Sequence, residues 1–260
     1  MKRTYDCKIR SNKYVSEDVF SLIVEKPSEM EEVKPGQFFN LQCGSNDTPL
    51  LRRPISVSFV NEASLEFIII KKGFGTELLS ELEEGKYLNL LGPLGNGYEI
   101  KESYKKILVV GGGIGVAPQM DLTRHLVKSG IEVKVLLGFR NEPYSLDGYY
   151  NHTDNVEVAS ENSMIGHKGF VTDLVEKELR DDKYDAVMVC GPHIMLEKTN
   201  EICKKYDTEV QLLMEERMAC GVGACMVCTC KIKDDTKEEG HWNKRVCKDG
   251  PVFYGSEVIF

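Results

Sequence analysis

Four cysteines near the C-terminus, Cys220, Cys225, Cys228 and Cys247, follow the spacing C-x4-C-x2-C-x18-C. Thiolates converging from a flexible loop at that spacing suit a [2Fe–2S] cluster, which carries one electron at a time. Ala219, Gly221, Gly223 and Ala224 are small enough for the loop to wrap with its N–H groups toward the sulfurs. Structural zinc uses the same four donors, usually as two C-x2-4-C knuckles, whereas here a lone Cys247 closes the set. Cys230 stands two residues past Cys228 as a competing ligand, and its side chain turns away if the chain leaves as a strand. Glu215 and Glu216, just ahead of the first cysteine, disfavour adding negative charge nearby.

Two upstream segments suit a dinucleotide. Gly111, Gly112, Gly113 and Gly115 follow an apolar run directly and open a helix, so backbone N–H groups and a helix N-terminus face the place a pyrophosphate would occupy. The pattern is G-x-G-x-x-P, and Pro118 fits the first helical turn, where no N–H is needed. The bland alternative is a tight turn that lets strand and helix pack closely. Cys190-Gly191-Pro192 ends a second apolar run at the same sheet edge, beside the expected nicotinamide, or serves as a turn only. Arg140 lies near where a 2′-phosphate would sit and reads equally as a surface charge.

Two earlier segments suit a flavin. The Arg53 guanidinium can fork to a pyrophosphate, Ser56 can hydrogen-bond the ring, and the backbone at Gly75 and Thr76 can approach phosphate closely. Taken alone, they are a surface arginine pair and a turn.

These groups need elements to hold them. Short β-rich runs at 4–10, 19–25, 37–43, 55–60, 65–72 and 87–91, punctuated by turns at Gly36, at Asn61-Glu62-Ala63 and after Gly92, predict an antiparallel barrel. From residue 105 the rhythm becomes strand 107–110, helix 118–129 closed by Gly130, and strand 133–138. It continues through strand 156–159, helix 170–179, strand 186–190, a helix carrying Ile194, Met195, Ile202 and Tyr206, and strand 209–214. That alternation predicts a parallel sheet covered by helices. Beyond it periodicity fades, and 231–244 reads as a solvated loop or hairpin between the third and fourth cysteines. The expectation is an α+β multidomain chain: a barrel over 1–100, an α/β nucleotide domain over 101–212 and a small cluster domain over 213–260.

The bulk numbers agree with a globular protein: 260 residues, 42% hydrophobic, 28% charged and a net charge of −8, which argues against disorder and against nucleic acid. The start lacks the apolar core of a secretion signal and no run has the length of a membrane span, so the expected place is the cytoplasm, without a membrane partner. Nine cysteines there are expected to be reduced, so the fixed spacing points to metal. Cys7, Cys43 and Cys203 read as small buried side chains.

In their order along the chain these segments resemble the ferredoxin–NADP reductase superfamily, which joins a flavin barrel with an R-x-Y-S-type motif to a nicotinamide domain with G-G-x-G and C-G-P. Arg53-Pro54-Ile55-Ser56 and Met214-Glu215-Glu216-Arg217-Met218-Ala219-Cys220 narrow the resemblance to the electron-transfer subunits of dihydroorotate dehydrogenase B. Ile55 stands where the wider superfamily has tyrosine, which leaves one flavin face to aliphatic contact. The resemblance implies FAD held by Arg53, Pro54, Ile55, Ser56, Ile70, Lys71, Lys72, Gly75 and Thr76, and a cluster held by the four spaced cysteines. It also implies NAD as acceptor, and as partner an FMN-containing catalytic subunit that oxidises dihydroorotate, in a heterotetramer of two of each. Electrons would pass singly from the partner through the cluster to FAD and leave as hydride, with no acid or base residue required. The rivals are a flavin and iron–sulfur subunit serving another partner, of ferredoxin transhydrogenase or sulfide dehydrogenase type, and a zinc-stabilised binding module without redox function.

Overall fold

The computed structural model describes residues 3–44, 49–162 and 165–260. Its first half is built from strands β1 (Arg3–Tyr14), β2 (Val19–Glu25), β3 (Phe38–Leu41), β4 (Arg53–Ser56), β5 (Phe59–Val60) and β6 (Ser64–Ile70), helix α1 (Phe74–Ser80) and strand β7 (Tyr87–Leu94). Strict alternation on β1 puts Tyr5, Cys7 and Ile9 inward. The antiparallel order is β4-β3-β7-β1-β2-β6-β5, so two strands adjacent in sequence occupy opposite edges. The expected single strand at 55–60 is therefore two. Its first part pairs with β3 and its second with β6, and the sheet curls to let Val57 and Ser58 join the edges. The joint is satisfied: Val57 N–H donates to Gln37 O (3.1 Å), Ser58 N–H to Glu66 O (2.9 Å), and Ser58 Oγ accepts from Ile68 N–H (2.9 Å). A second correction falls at 71–76, where the expected turn opens α1.

The second unit contains β8 (Lys106–Gly112), α2 (Val116–Lys128), β9 (Glu132–Phe139), α3 (Asp147–Tyr150), β10 (Val156–Ser160), β11 (His167–Lys168), α4 (Val171–Asp181), β12 (Ala186–Cys190), α5 (His193–Lys205) and β13 (Glu209–Leu213). The sheet order is β11-β10-β9-β8-β12-β13, all parallel. Ile107, Leu108, Val109 and Val110 are wholly buried because helices cover both faces, α2 on one and α4 with α5 on the other.

The last segment forms β14 (Thr229–Lys233), β15 (His241–Arg245), β16 (Val252–Tyr254) and β17 (Val258–Ile259). β14 and β15 make the hairpin, and β17 pairs with β14. β16 returns antiparallel to β13 and extends the parallel sheet. The buried cysteines Cys228, Cys230 and Cys247 share one core with Leu196 of α5, Leu212 of β13 and the barrel residues Phe38 and Leu94. The cysteine segment thus has an apolar core in common with its neighbours.

Candidate functional site

The barrel gathers its two candidate flavin segments at one corner, where β4 packs beside β6. Arg53 Nη1 donates to Leu51 O (2.5 Å), and the guanidinium lies directly over Gly75: a Cβ there would stand 2.6 Å from Arg53 Cζ. Only glycine permits that approach. Thr76 Oγ1 accepts from Lys72 N–H (2.9 Å) and Gly73 N–H (3.2 Å), which ties the end of β6 to the start of α1. Lys71 N–H donates to Asp18 O (2.7 Å), and its ammonium lies 5.5 Å from the centre of the Tyr14 ring. Ile55 faces Phe39 across the ladder and packs on the barrel core, while Pro54 and Ser56 share the opposite face with Asn40 and Phe38.

At the parallel sheet, Gly111 on β8 is directly beside Cys190 on β12. From β8 the chain winds outward to β9 and β10 and then crosses back to β12 and β13, so these two strand ends flank the point where the winding reverses. Open α/β sheets bind ligands at the carboxyl side of such a point. Gly115 presses on the end of β12, and a Cβ on it would lie 2.5 Å from Cys190 O. Gly112 and Gly191 pack around the Met195 side chain. Gly113 differs, with φ at +56° and open space where a side chain would point. One glycine run therefore serves both readings, close packing at Gly115 and an open backbone face at Gly113. Cys190 is buried beside Tyr98 and Tyr149, and burial pushes its thiol well above the ordinary range.

In the cysteine loop, Gly221 (φ +67°), Gly223 (φ +83°) and Met226 (φ +59°) take left-handed conformations that coil the backbone around Cys220. Ala224 N–H (3.3 Å) and Cys225 N–H (3.4 Å) donate to Cys220 Sγ, and Cys247 N–H donates to Cys228 Sγ (3.4 Å). Desolvation would raise the Cys220 thiol, but donors from Val222, Cys225 and Ala224 outweigh it and bring its pKa down to about 6. Cys247 is pushed up to about 12, first by burial and then by the neighbouring Cys228 thiol. Among the described residues no group of three or more His, Cys, Asp or Glu converges for a single ion. Cys220 neighbours Cys225, Cys247 neighbours Cys228, and the Cys247 and Cys220 thiols also lie near enough to act on one another. Cys230 leaves on β14 and is buried on the same side of the strand as Ile232.

The three places adjoin. Ile70, at the end of β6, packs with Ile114 of the glycine turn against one apolar cluster. On the other side, Asn40 Nδ2 of β3 donates to Cys220 O (3.4 Å). The barrel corner thus touches the glycine turn through β6 and the cysteine loop through β3.

Several residues that hold this arrangement were absent from the sequence reading. Arg245 pairs with Asp249 (2.9 Å) and donates to Gly223 O (2.9 Å), clasping the cysteine loop from the hairpin. Asn96 Nδ2 donates to Val252 O (3.1 Å) and joins the barrel exit to β16. Asp121 and Arg124 of α2 form an ion pair that also engages Val60, with the Arg124 guanidinium 4.2 Å from the centre of the Phe59 ring, so α2 is fastened to β5. Asn12 Nδ2 donates to Leu79 O (3.0 Å), Ser80 O (3.2 Å) and Leu82 O (2.9 Å), which satisfies the end of α1. A lone asparagine or arginine carries no motif. The one available signal was a polar residue inside an otherwise apolar strand, as in Phe38-Phe39-Asn40-Leu41.

Comparison with known proteins adds independent information. Residues 215–259 match the family described as the iron-sulfur cluster binding domain of dihydroorotate dehydrogenase B, and residues 109–201 match the oxidoreductase NAD-binding domain. A protein from Clostridium perfringens named dihydroorotate dehydrogenase B (NAD(+)), electron transfer subunit, is 38% identical over 97% of this chain and 97% of its own. One of the same name from Clostridium acetobutylicum is 37% identical over 100% and 99%. Among solved structures, an NADH-dependent reduced ferredoxin-NADP oxidoreductase superposes with a TM-score of 0.84 at 29% identity, covering 100% of this chain and 91% of that one. Phthalate dioxygenase reductase shares the fold, at a TM-score of 0.65, 16% identity and 94% coverage of each chain. Among the described residues no helix is long and apolar enough to cross a membrane.

Proposed function

The chain belongs to the family of dihydroorotate dehydrogenase B electron transfer subunits, and from that premise we propose that its barrel corner, glycine turn and cysteine loop form one relay linking dihydroorotate oxidation to NAD+ reduction in pyrimidine biosynthesis. The donor is the FMN of a catalytic subunit, with two copies of each chain in the complex, in the cytoplasm. One observation carries this reading: the corner expected to hold FAD adjoins the other two sites at once, the glycine turn through β6 and the cysteine loop through Asn40.

The residues fit the groups. Four cysteines spaced C-x4-C-x2-C-x18-C on a loop of small residues, with N–H groups donating to sulfur, suit a [2Fe–2S] cluster better than a zinc site built from two C-x2-4-C knuckles. Cys220, Cys225, Cys228 and Cys247 would hold it, with backbone N–H groups directed at Cys220 and Cys228. The bare backbone of Gly75 beneath Arg53 leaves a cationic cradle suited to the FAD pyrophosphate, with Thr76 shaping the helix start. Pro54, Ile55, Ser56, Ile70, Lys71 and Lys72 complete the flavin corner. Gly111, Gly112, Gly113 and Gly115 with Cys190, Gly191 and Pro192 would receive NAD, its pyrophosphate against the open side of Gly113. When bound, the cluster supplies one-electron exchange and the flavin joins it to two-electron hydride transfer. The chain's own part is to fix distances and orientation and to keep apolar walls around the corner.

The likeness to a ferredoxin-NADP oxidoreductase favours one second reading, a ferredoxin-linked partner. Co-purification with the dihydroorotate-oxidising subunit separates them. The expected result is NADH formation that depends on dihydroorotate and matches orotate formed. An intact cluster and flavin without that activity would select the second reading.

A further inference from the structure

Asn40 is wholly buried, at 1% exposure, in the middle of a strand whose other residues are Phe38, Phe39 and Leu41. A polar amide in such a place costs free energy unless its hydrogen bonds are made. Its Nδ2 makes one, to the carbonyl of Cys220, across 180 residues of sequence. Its Oδ1 is buried without a partner among the described residues. Gly221, with φ at +67°, lies so close to this amide that a Cβ on it would overlap Asn40 Nδ2. On its own strand, Asn40 stands directly opposite Pro54 of β4, on the face that also carries Ser56. A single residue therefore joins the two: its backbone stands beside the strand proposed for FAD, and its amide holds the carbonyl of the first proposed cluster ligand.

We infer that Asn40 is the positioning residue that sets the cluster loop against the flavin strand, and with it the rate at which electrons pass between the two groups. The inference rests on the assignment of FAD to β4 and of the cluster to Cys220. An apolar side chain would fill the position at lower desolvation cost, but nothing else at that place could hold the Cys220 carbonyl. Close packing against Gly221 adds a steric stop to the hydrogen bond, so the loop is fixed in distance as well as direction. Electron transfer weakens steeply as the distance between donor and acceptor grows, so displacing the loop slows it.

The test uses the full chain with its groups bound, as wild type, Asn40→Leu, which keeps the branched shape, and Asn40→Ala. Stopped-flow mixing with NADH resolves flavin bleaching from cluster reduction, and electron paramagnetic resonance reads the reduced cluster. The expected result for both variants is a flavin-to-cluster step slowed severalfold relative to flavin bleaching, with an altered cluster spectrum. Loss of iron with FAD retained would equally support an anchor for the loop. An unchanged ratio of the two rates with an unchanged spectrum would overturn the inference. So would a variant that holds neither group, since Asn40 would then serve the fold alone. Failure of the underlying assignment shows separately, as wild-type chain without a flavin or iron–sulfur absorption spectrum.

Discussion

The glycine turn at the parallel sheet and the cysteine loop beside it are the two turns that the proposed relay uses to present backbone N–H groups to a negatively charged group, and they are shaped by opposite means. At the turn, shape comes from packing. β8 is buried on both faces, Gly115 touches the end of β12, and α2 starts at once. At the loop, shape comes from left-handed residues, from N–H donation to the sulfurs and from a clasp by Arg245. Cys225 is exposed and Cys220 half-buried, whereas Gly111, Gly112 and Gly115 are buried. The turn is thus shaped by the packing of the fold, and the cysteine loop by its own backbone conformations and hydrogen bonds.

The largest expected effect falls on the loop. Cys225→Ser removes one thiol of the exposed pair, and dihydroorotate-driven NAD+ reduction should fall by about a hundredfold or more while NADH oxidation by an artificial acceptor at the flavin persists. Full coupled activity in that variant would show that electrons bypass the loop. Next comes Gly115→Val, which drives a side chain into Cys190 O. Overpacking here should cost about 1–3 kcal/mol in thermal or denaturant unfolding and weaken NAD binding in titration, because turn and strand end must part. Unchanged stability would remove packing as the basis of the turn.

Gly75→Ala tests the barrel corner by placing a methyl group in the Arg53 guanidinium. FAD retention on dilution should drop by about tenfold, with the parallel sheet unaffected. The smallest effect is Glu157→Gln. The Lys134 ammonium, hydrogen-bonded to Glu157, holds that carboxyl below its ordinary value of 4.5. A lowered folded-state pKa adds stability that is complete above the ordinary value and is lost as pH falls through the folded one. Acid unfolding below pH 4.5 should therefore be shallower in the variant, and the difference should be the same with or without cluster, since Glu157 lies on β10. A difference that depends on cluster content would couple the two regions more tightly than the account allows.

What could be read from the sequence was whatever is local. An apolar run, a glycine turn and a helix follow one another, and the structure has that succession, with β8 reaching through Gly112, the turn confined to Gly113–Gly115 and α2 starting at Val116. The cysteine spacing was equally local. The split at Val57 and Ser58 was not legible, since apolar and polar residues alternate without a break there and only the partner strand changes. α1 was hidden by Gly73 and Gly75, which read as a turn, although one approaches Arg53 and Thr76 secures the helix start. The return of β16 to β13 depends on a neighbour some forty residues upstream, and period-two patterning in three residues is too short to detect. Asn12, Asn40 and Arg245 act across the fold, on partners that sequence alone does not supply.

The pairing of the four thiols around an iron centre next to a flavin is the claim on which the relay depends. Anaerobically purified chain, assayed for iron, acid-labile sulfide, zinc and flavin, tests it most directly. The account requires iron and sulfide in equal amounts, one FAD per chain, negligible zinc, and a paramagnetic signal that appears on reduction by NADH. Stoichiometric zinc on the cysteines, or a chain without flavin, would contradict it.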